Sequence, residues 1–222
     1  MTKILQNRLL YQLNFLKSIG YEYGQNINFQ NSNNEQVELP NDINKLEELV
    51  KNCYLCQLSK YRENVLFGSG NIDSNIMFLK ESPTISEDEC GVFYVGKSGD
   101  LLKNMIEKVL KVDCEDVYIS NIVKCISPNS EIKHEHVNYC KSYLDKQIEL
   151  IKPKLIVVLG ESVYRYFTND TTPFSEIRGK VIRNNDLDII CTYEPNYLLR
   201  NPSSKAEAYE DLLKIKAIME QM

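Results

Sequence analysis

Four short apolar runs set what this chain can fold into: Asn75–Leu79, Val117–Ser120, Leu155–Leu159 and Asp188–Thr192. Each is rich in Ile, Val, Met, Phe, Leu or Tyr, the composition of strands buried on both faces. Helical patterns lie between them, around 98–111, 135–151 and 161–167, and a last helix over about 205–221 closes the chain. Strand, helix, strand in this order calls for right-handed crossovers and a mostly parallel sheet covered on both faces, an α/β architecture. Ligands of such sheets bind beyond the carboxyl ends of the strands. That rule selects Lys80 to Thr84, Asn121, Gly160 to Glu161 and Tyr193 to Asn196 as the segments where chemistry belongs.

The 222 residues suffice for one sizeable domain and an appendage. Residues 3–19 carry Leu5, Leu9, Leu13 and Leu16 at helical spacing and stop at Gly20, an amphipathic helix expected to pack. Within it, Gln12, Leu13, Phe15 and Leu16 loosely match peptides that dock on sliding clamps, a reading that packing outweighs by about ten to one. A replication or repair partner for this helix is therefore the lesser expectation. Residues 25–44 hold ten Asn or Gln with little aliphatic pattern and read as a linker, giving an extension over 1–44 and a domain over 45–222.

Hydrophobic residues make up 43% of the chain, ordinary for a globular protein, and no apolar run approaches the roughly 18 residues of a membrane span. The start, MTKILQNRLLYQLNFLKS, has polar residues on one helical face instead of a continuous signal-peptide core, so a cytoplasmic protein with no membrane partner is expected. A net charge of -5 argues against nonspecific nucleic-acid binding but leaves room for a local DNA groove.

Seven cysteines are an odd number and a poor basis for disulfides in a reducing compartment. Cys53 and Cys56, in the segment CYLC, have a counterpart pair in Cys125 and Cys140, with 68 residues between Cys56 and Cys125. Four thiolates suit structural zinc or an iron-sulfur cluster, and spacing alone does not separate the two. His134 and His136, on a charged stretch before a helix, are expected to be solvated, and Cys90, Cys114 and Cys191 structural.

From about Cys53 to Lys216 the chain resembles the iron-sulfur uracil-DNA glycosylases of the family 4 type. The segments that carry the likeness are CYLCQLSKYRENVLFGSGN, NIMFLKESPTISEDE, GVFYVGKSGDLLKNMI, VYISNIVKC, CKSYLDKQIELIKPKLIVVLG, FSEIRGKV and EPNYLLRNPSSKAEAYEDLLKIK, in the family's order and spacing. The resemblance implies a three-layer α/β/α sandwich around a central four-stranded, mostly parallel sheet. It implies a [4Fe-4S] cluster held by Cys53, Cys56, Cys125 and Cys140, an extension outside the family core, and a monomer whose partner is uracil-containing DNA.

The implied chemistry takes a base out of the stack and hydrolyses its bond to deoxyribose, leaving an abasic site. Asn121 matches the position that reads the N3–H and O4 edge of uracil, because one side-chain amide donates and accepts at once. Tyr94 stands where the family has Phe to stack on the base, with Gly91, Gly96 and Gly99 permitting a tight loop. Leu198 and Leu199 are expected to fill the space that the base vacates, and Arg200, Arg178 and Lys205 to meet phosphates.

Two departures bear on catalysis. The family's Gly-Glu-Ala-Pro-Gly reads Lys80-Glu81-Ser82-Pro83-Thr84 here, keeping Glu81 and Pro83, and the family's motif His is Glu194. A carboxylate 4 Å from a departing uracil anion costs about 4 kcal/mol at an effective dielectric near 20, roughly a thousandfold in rate. Two escapes are open: mutual repulsion and burial of Glu81 and Glu194 raise one pKa enough for Glu194 to stay neutral and donate the same hydrogen bond, or Lys80 pairs with Glu194 or faces the leaving group, and a compensating Lys80–Glu194 pair is the expectation. The alternatives to an active glycosylase are a binding protein without turnover that senses uracil or abasic sites, and a zinc-stabilised nucleic-acid module.

Overall fold

Every residue of the second and fourth strands is buried, as a sheet covered on both faces requires. The computed structural model describes residues 39–129, 131–184 and 187–222, together with Leu10. The helix expected over 3–19 and most of the linker lie outside the described residues.

The chain enters through α1 (Ile43–Lys51), whose amino end is capped by Asp42 accepting from the Lys45 amide at 2.9 Å. After a 3-10 turn (Gln57–Lys60) come β1 (Gly68–Gly70), β2 (Ile76–Lys80), α2 (Ile85–Cys90) and α3 (Gly96–Asn104), the last running on as a π-helix over Met105–Leu110. The second half comprises β3 (Tyr118–Asn121), α4 (His134–Ile151), β4 (Leu155–Leu159), α5 (Glu161–Thr168), α6 (Phe174–Ile177), β5 (Val181–Asn184), β6 (Leu187–Thr192), α7 (Pro195–Arg200) and α8 (Lys205–Met219).

The sheet has six strands in the order β1-β3-β2-β4-β6-β5, which corrects the expected four. The inner four, β3, β2, β4 and β6, are mutually parallel and are the four apolar runs read from the sequence. The two additions are edge strands, both antiparallel, each beside a strand expected to end the sheet. Neither carries an apolar run: β1 is Gly-Ser-Gly and β5 is Val-Ile-Arg-Asn. Their pairing comes from a neighbour's open edge and not from their own pattern.

Alternation along the strands splits the core into two layers. Met77, Leu79, Ile156, Val158, Ile189 and Cys191 face one side, with Val137, Cys140 and Leu144 of α4 and Val163 and Tyr164 of α5. Phe78, Ile119, Val157 and Ile190 face the other, with Leu102 of α3, Ile106 of the π-helix, Leu198 of α7 and Leu212 of α8. A smaller cluster joins α1 to α4 through Leu46, Val50, Phe67 and Tyr143. The result is the expected three-layer α/β/α sandwich, with the carboxyl ends of four parallel strands opening on one edge.

Candidate active site

Asn121 is the last residue of β3, 0% exposed, and neither its amide nitrogen nor its amide oxygen has a hydrogen-bond partner among the described residues. Leaving a buried polar group open costs about 1–3 kcal/mol, so an amide with both ends open is a candidate recognition group. It is held from behind. The Lys124 ammonium donates to the Asn121 carbonyl at 2.6 Å, to Ser120 Oγ at 2.6 Å and to Gln147 Oε1 at 2.5 Å. Those three bonds use all the donors of an ammonium that is 1% exposed.

Lys80 is the register partner of Asn121 on β2, and side chains at paired positions of adjacent strands share a face. Its ammonium lies 2.5 and 2.6 Å from the two carboxylate oxygens of Glu87 on α2, and 5.6 Å from the centre of the Phe93 ring. Glu87 also accepts from the Thr84 amide at 2.9 Å, while its own amide donates to Thr84 Oγ1 at 3.3 Å, a capping box that starts α2. The expected Lys80–Glu194 pair is thereby corrected. The closer carboxylate, delivered by a helix that sequence reading missed, takes the lysine.

Glu81 follows Lys80, half-buried, with its carbonyl fixed by the Val123 amide at 2.9 Å; Pro83 is buried just beyond it. Burial pushes the Glu81 carboxyl above the ordinary glutamate value; a hydrogen bond from Ser162 opposes the shift and the charge of Glu194 adds to it. Glu194 follows the end of β6, stands just before α7 without a side-chain hydrogen bond to its amino end, and accepts from Asn196 Nδ2 at 3.1 Å. Gly160, at φ 106°, turns the chain out of β4, and a Cβ placed on it would meet Glu194 Cβ at 3.4 Å. A cleft of about 420 Å³ opens beside Ser162, lined also by His134, Glu161, Arg165 and Tyr166.

Tyr94 precedes α3 with φ 63°, a left-handed conformation uncommon for a tyrosine. The adjoining helix closes on it so tightly that a Cβ on Gly99 would stand 2.3 Å from the Tyr94 carbonyl carbon. The Tyr94 hydroxyl is buried without a hydrogen bond of normal geometry, and burial followed by the Cys114 thiol pushes its pKa upward.

At the far end of β6, α7 is a short helix where a loop was expected. Leu198 is 2% exposed and packs in the core, so of the two leucines only Leu199, 38% exposed, faces solvent. This corrects the expectation that both are free to enter DNA. Arg178 is bound within the protein, to Asp211 at 2.7 Å and Glu207 at 3.3 Å, whereas Arg200 is exposed and bonds only the Asn196 carbonyl among its described contacts, at 3.3 Å.

The four cysteines come from four places: the loop after α1 (Cys53), the residue before the 3-10 turn (Cys56), the loop after β3 (Cys125) and α4 (Cys140). Each of the last three feels the charge of others in the set: Cys56 that of Cys53, Cys125 that of Cys56 and Cys53, and Cys140 that of Cys125 and Cys56. Burial pushes the Cys125 thiol up to about 11 and the Cys140 thiol up to about 12. Arg62 donates to Cys125 Sγ at 3.1 Å and to the Lys51 carbonyl at 3.2 Å. Among the described residues no three or more His, Cys, Asp or Glu side chains are grouped as a site for a metal ion. His136 accepts from the Lys133 amide at 3.2 Å, and the His134 ring meets Tyr166 edge-on at 5.0 Å.

Sequence reading passed over Glu87, Ser162, Lys124 and Tyr197. Only Glu87 left a local signal, the Thr-x-x-Glu spacing of a capping box. Among the described residues no helix is long and apolar enough to cross a membrane.

Residues 67–213 match the family model of the uracil DNA glycosylase superfamily. The chain is 35% identical to a type-4 uracil-DNA glycosylase of Pyrobaculum aerophilum over 77% of its own length and 91% of the relative's. It is also 35% identical to the type-4 enzyme of Thermotoga maritima, over 79% of this chain and 94% of that one. The type-4 enzyme of Sulfurisphaera tokodaii is 33% identical over 79% of this chain and 84% of its own. A strand-end amide with no hydrogen-bond partner among the described residues, followed along the same sheet edge by Glu81 and Glu194, therefore sits in a chain that belongs to the uracil-DNA glycosylase superfamily, among the type-4 glycosylases.

Proposed function

We propose that this chain excises uracil from DNA, extruding the base and hydrolysing its glycosidic bond to leave an abasic site, the first step of base excision repair. The observation that carries the reading is Asn121, an amide open at both ends and 0% exposed at the end of a buried strand. Its donor and acceptor match the O4 and N3–H edge of uracil and meet like groups on the reversed edge of cytosine. Tyr94 supplies the stacking face, with Lys80 and Pro83 beside it at the pocket wall.

As the C1′–N1 bond breaks, its electron pair leaves with the uracil and the sugar becomes cationic, to be captured by water. Glu81, beside this point, is suited to stabilise the cation and take the water's proton, since burial has raised its proton affinity. Glu194 stands where the family carries the His that donates to the departing base. For it to assist departure it must carry a proton. The rival reading, a protein that binds uracil sites without turnover, rests on this one residue.

Cys53, Cys56, Cys125 and Cys140 are suited to a [4Fe-4S] cluster. Support comes from the mutual electrostatic influence of four thiols drawn from four places in the fold, and from the Arg62 guanidinium donating to Cys125 Sγ at 3.1 Å. Bound by these residues, such a cluster would tie the loop after α1 to α4 and to the loop that follows Asn121.

Anaerobic purification, iron analysis and a uracil-release assay on one sample test the reading together. Iron with uracil release supports it in full. Tight binding of uracil-containing strands with no base released supports the rival, and a colourless, zinc-containing protein that does neither overturns both.

A further inference from the structure

Tyr193 and Tyr197 flank Glu194 in sequence and stack on each other, with ring centres 5.3 Å apart and planes 12° from parallel. The Arg178 guanidinium lies 5.6 Å from the centre of the Tyr193 ring, and Phe174 meets that ring edge-on at 4.9 Å. The inner end of this column is anchored. Arg178 donates to Asp211 at 2.7 Å, Thr192 Oγ1 donates to the same carboxylate at 3.0 Å, and Asp211 is 0% exposed. The Tyr193 hydroxyl donates to Glu207. The outer end is open, for Tyr197 is 39% exposed.

We propose that the outer face of Tyr197 is a stacking platform for the nucleobase next to the extruded uracil, in a single-stranded stretch of DNA. The proposal rests on the glycosylase reading given above. Extruding one base strips its neighbour of a stacking surface, and an aromatic ring restores it whatever the base, since every base has a π-face. Three observations favour this occupant. The column rises from the carboxyl edge of the sheet, beside Glu194, where the extruded base must pass. Leu198, one of the two leucines expected to fill the gap, is 2% exposed and committed to the core. Arg178, the cation beside the column, is already bound to two carboxylates and is not free for a phosphate, so the open ring face is what the column itself offers. Arg178 is then a buttress that fixes Tyr193 beneath Tyr197, and not a phosphate contact.

The experiment uses the full chain and a single-stranded oligonucleotide with a non-cleavable 2′-fluoroarabino uridine and 2-aminopurine as its neighbour, placed on each side in turn. Expected is quenching of 2-aminopurine by the wild-type protein from one side. Tyr197→Ala should lose the quenching and bind about 5- to 150-fold more weakly. Tyr197→Phe should keep both, and the slope of affinity against salt should be the same in all three proteins. Tyr197→Leu, with thermal unfolding recorded alongside, separates lost stacking from lost fold: it should unfold like wild type and still fail to quench. Tyr197→Ala or Tyr197→Leu binding and quenching as wild type does, or Tyr197→Phe failing as badly as Tyr197→Ala, overturns the platform. Wild-type release of uracil from the cleavable oligonucleotide keeps these failures apart: without it the glycosylase reading falls and the platform with it, whereas with it only the platform falls.

Discussion

The Lys80 ammonium sits between both carboxylate oxygens of Glu87, at 2.5 and 2.6 Å, with the lysine 8% and the glutamate 1% exposed. Removing one member of a buried pair strands the other's charge, at a cost of about 3–5 kcal/mol. Lys80→Met should therefore lower the unfolding free energy by about that amount, and adding Glu87→Leu should return most of it. Denaturant titration of the two single variants and the double variant measures the coupling. Additive losses would show that the pair is not the unit described.

Asn121 should separate stability from activity. Its amide bonds nothing inside the protein, so Asn121→Leu removes an open buried polar group and should leave stability unchanged or raise it by about 1 kcal/mol. Uracil release should fall below detection in the same variant. A marked loss of stability would mean that the amide has a structural task.

Glu81 predicts a pH dependence with a definite sign. Its pKa is raised in the folded protein, so the folded state holds the proton more tightly than the unfolded chain does. The stability it contributes is present at pH below the unfolded glutamate value and is lost as the pH climbs through the raised value. Glu81→Gln should flatten that decline. If ionised Glu81 serves the reaction, the acid limb of kcat/KM against pH lies above the ordinary glutamate value, and Glu194→Gln moves it down by removing one cause of the shift. An acid limb that does not move when Glu194 loses its charge would disconnect the two residues.

Glu194→His restores the family's donor at the end of β6. With a charged carboxylate costing about 4 kcal/mol beside the leaving anion, the variant should release uracil faster by up to about a thousandfold. Single-turnover rates on a uracil-containing single strand check this. A wild-type protein that is already fast, and a variant that gains nothing, would mean that Glu194 acts in its neutral form.

Cys140→Ala should lose iron and lower the thermal midpoint, because Cys140 lies in α4 beside the buried Gln147 and Lys124 network that holds Asn121. Uracil release should fall with the iron content across a series of partly loaded samples. Full activity in iron-free protein would reduce the cysteines to packing residues.

The four inner strands were readable because a strand buried on both faces is apolar throughout, as Leu155–Leu159 is. The edge strands were not, since Gly68–Gly70 owes its conformation to β3 alone. α7 hid behind a family segment read as a loop, although Pro195 at its first turn is a helix-start signal. The residues at the strand ends were located by topology, yet their partners were not: which carboxylate reaches Lys80 depends on how α2 docks, and no periodicity encodes that. The inward turn of Leu198 likewise follows from which face α7 presents to α3, and adjacent leucines look alike in a sequence.

One feature of the sheet reaches beyond this chain. Glu81, Asn121, Gly160 and Glu194 each extend a separate buried strand by a residue or so, and those strands are pinned to one another by backbone bonds that no side chain alters. Position is thereby inherited from the scaffold while chemical identity stays negotiable. A lineage can exchange glycine for lysine, or imidazole for carboxylate, at this rim without shifting its neighbours, and can so explore new damaged bases by trial at fixed coordinates.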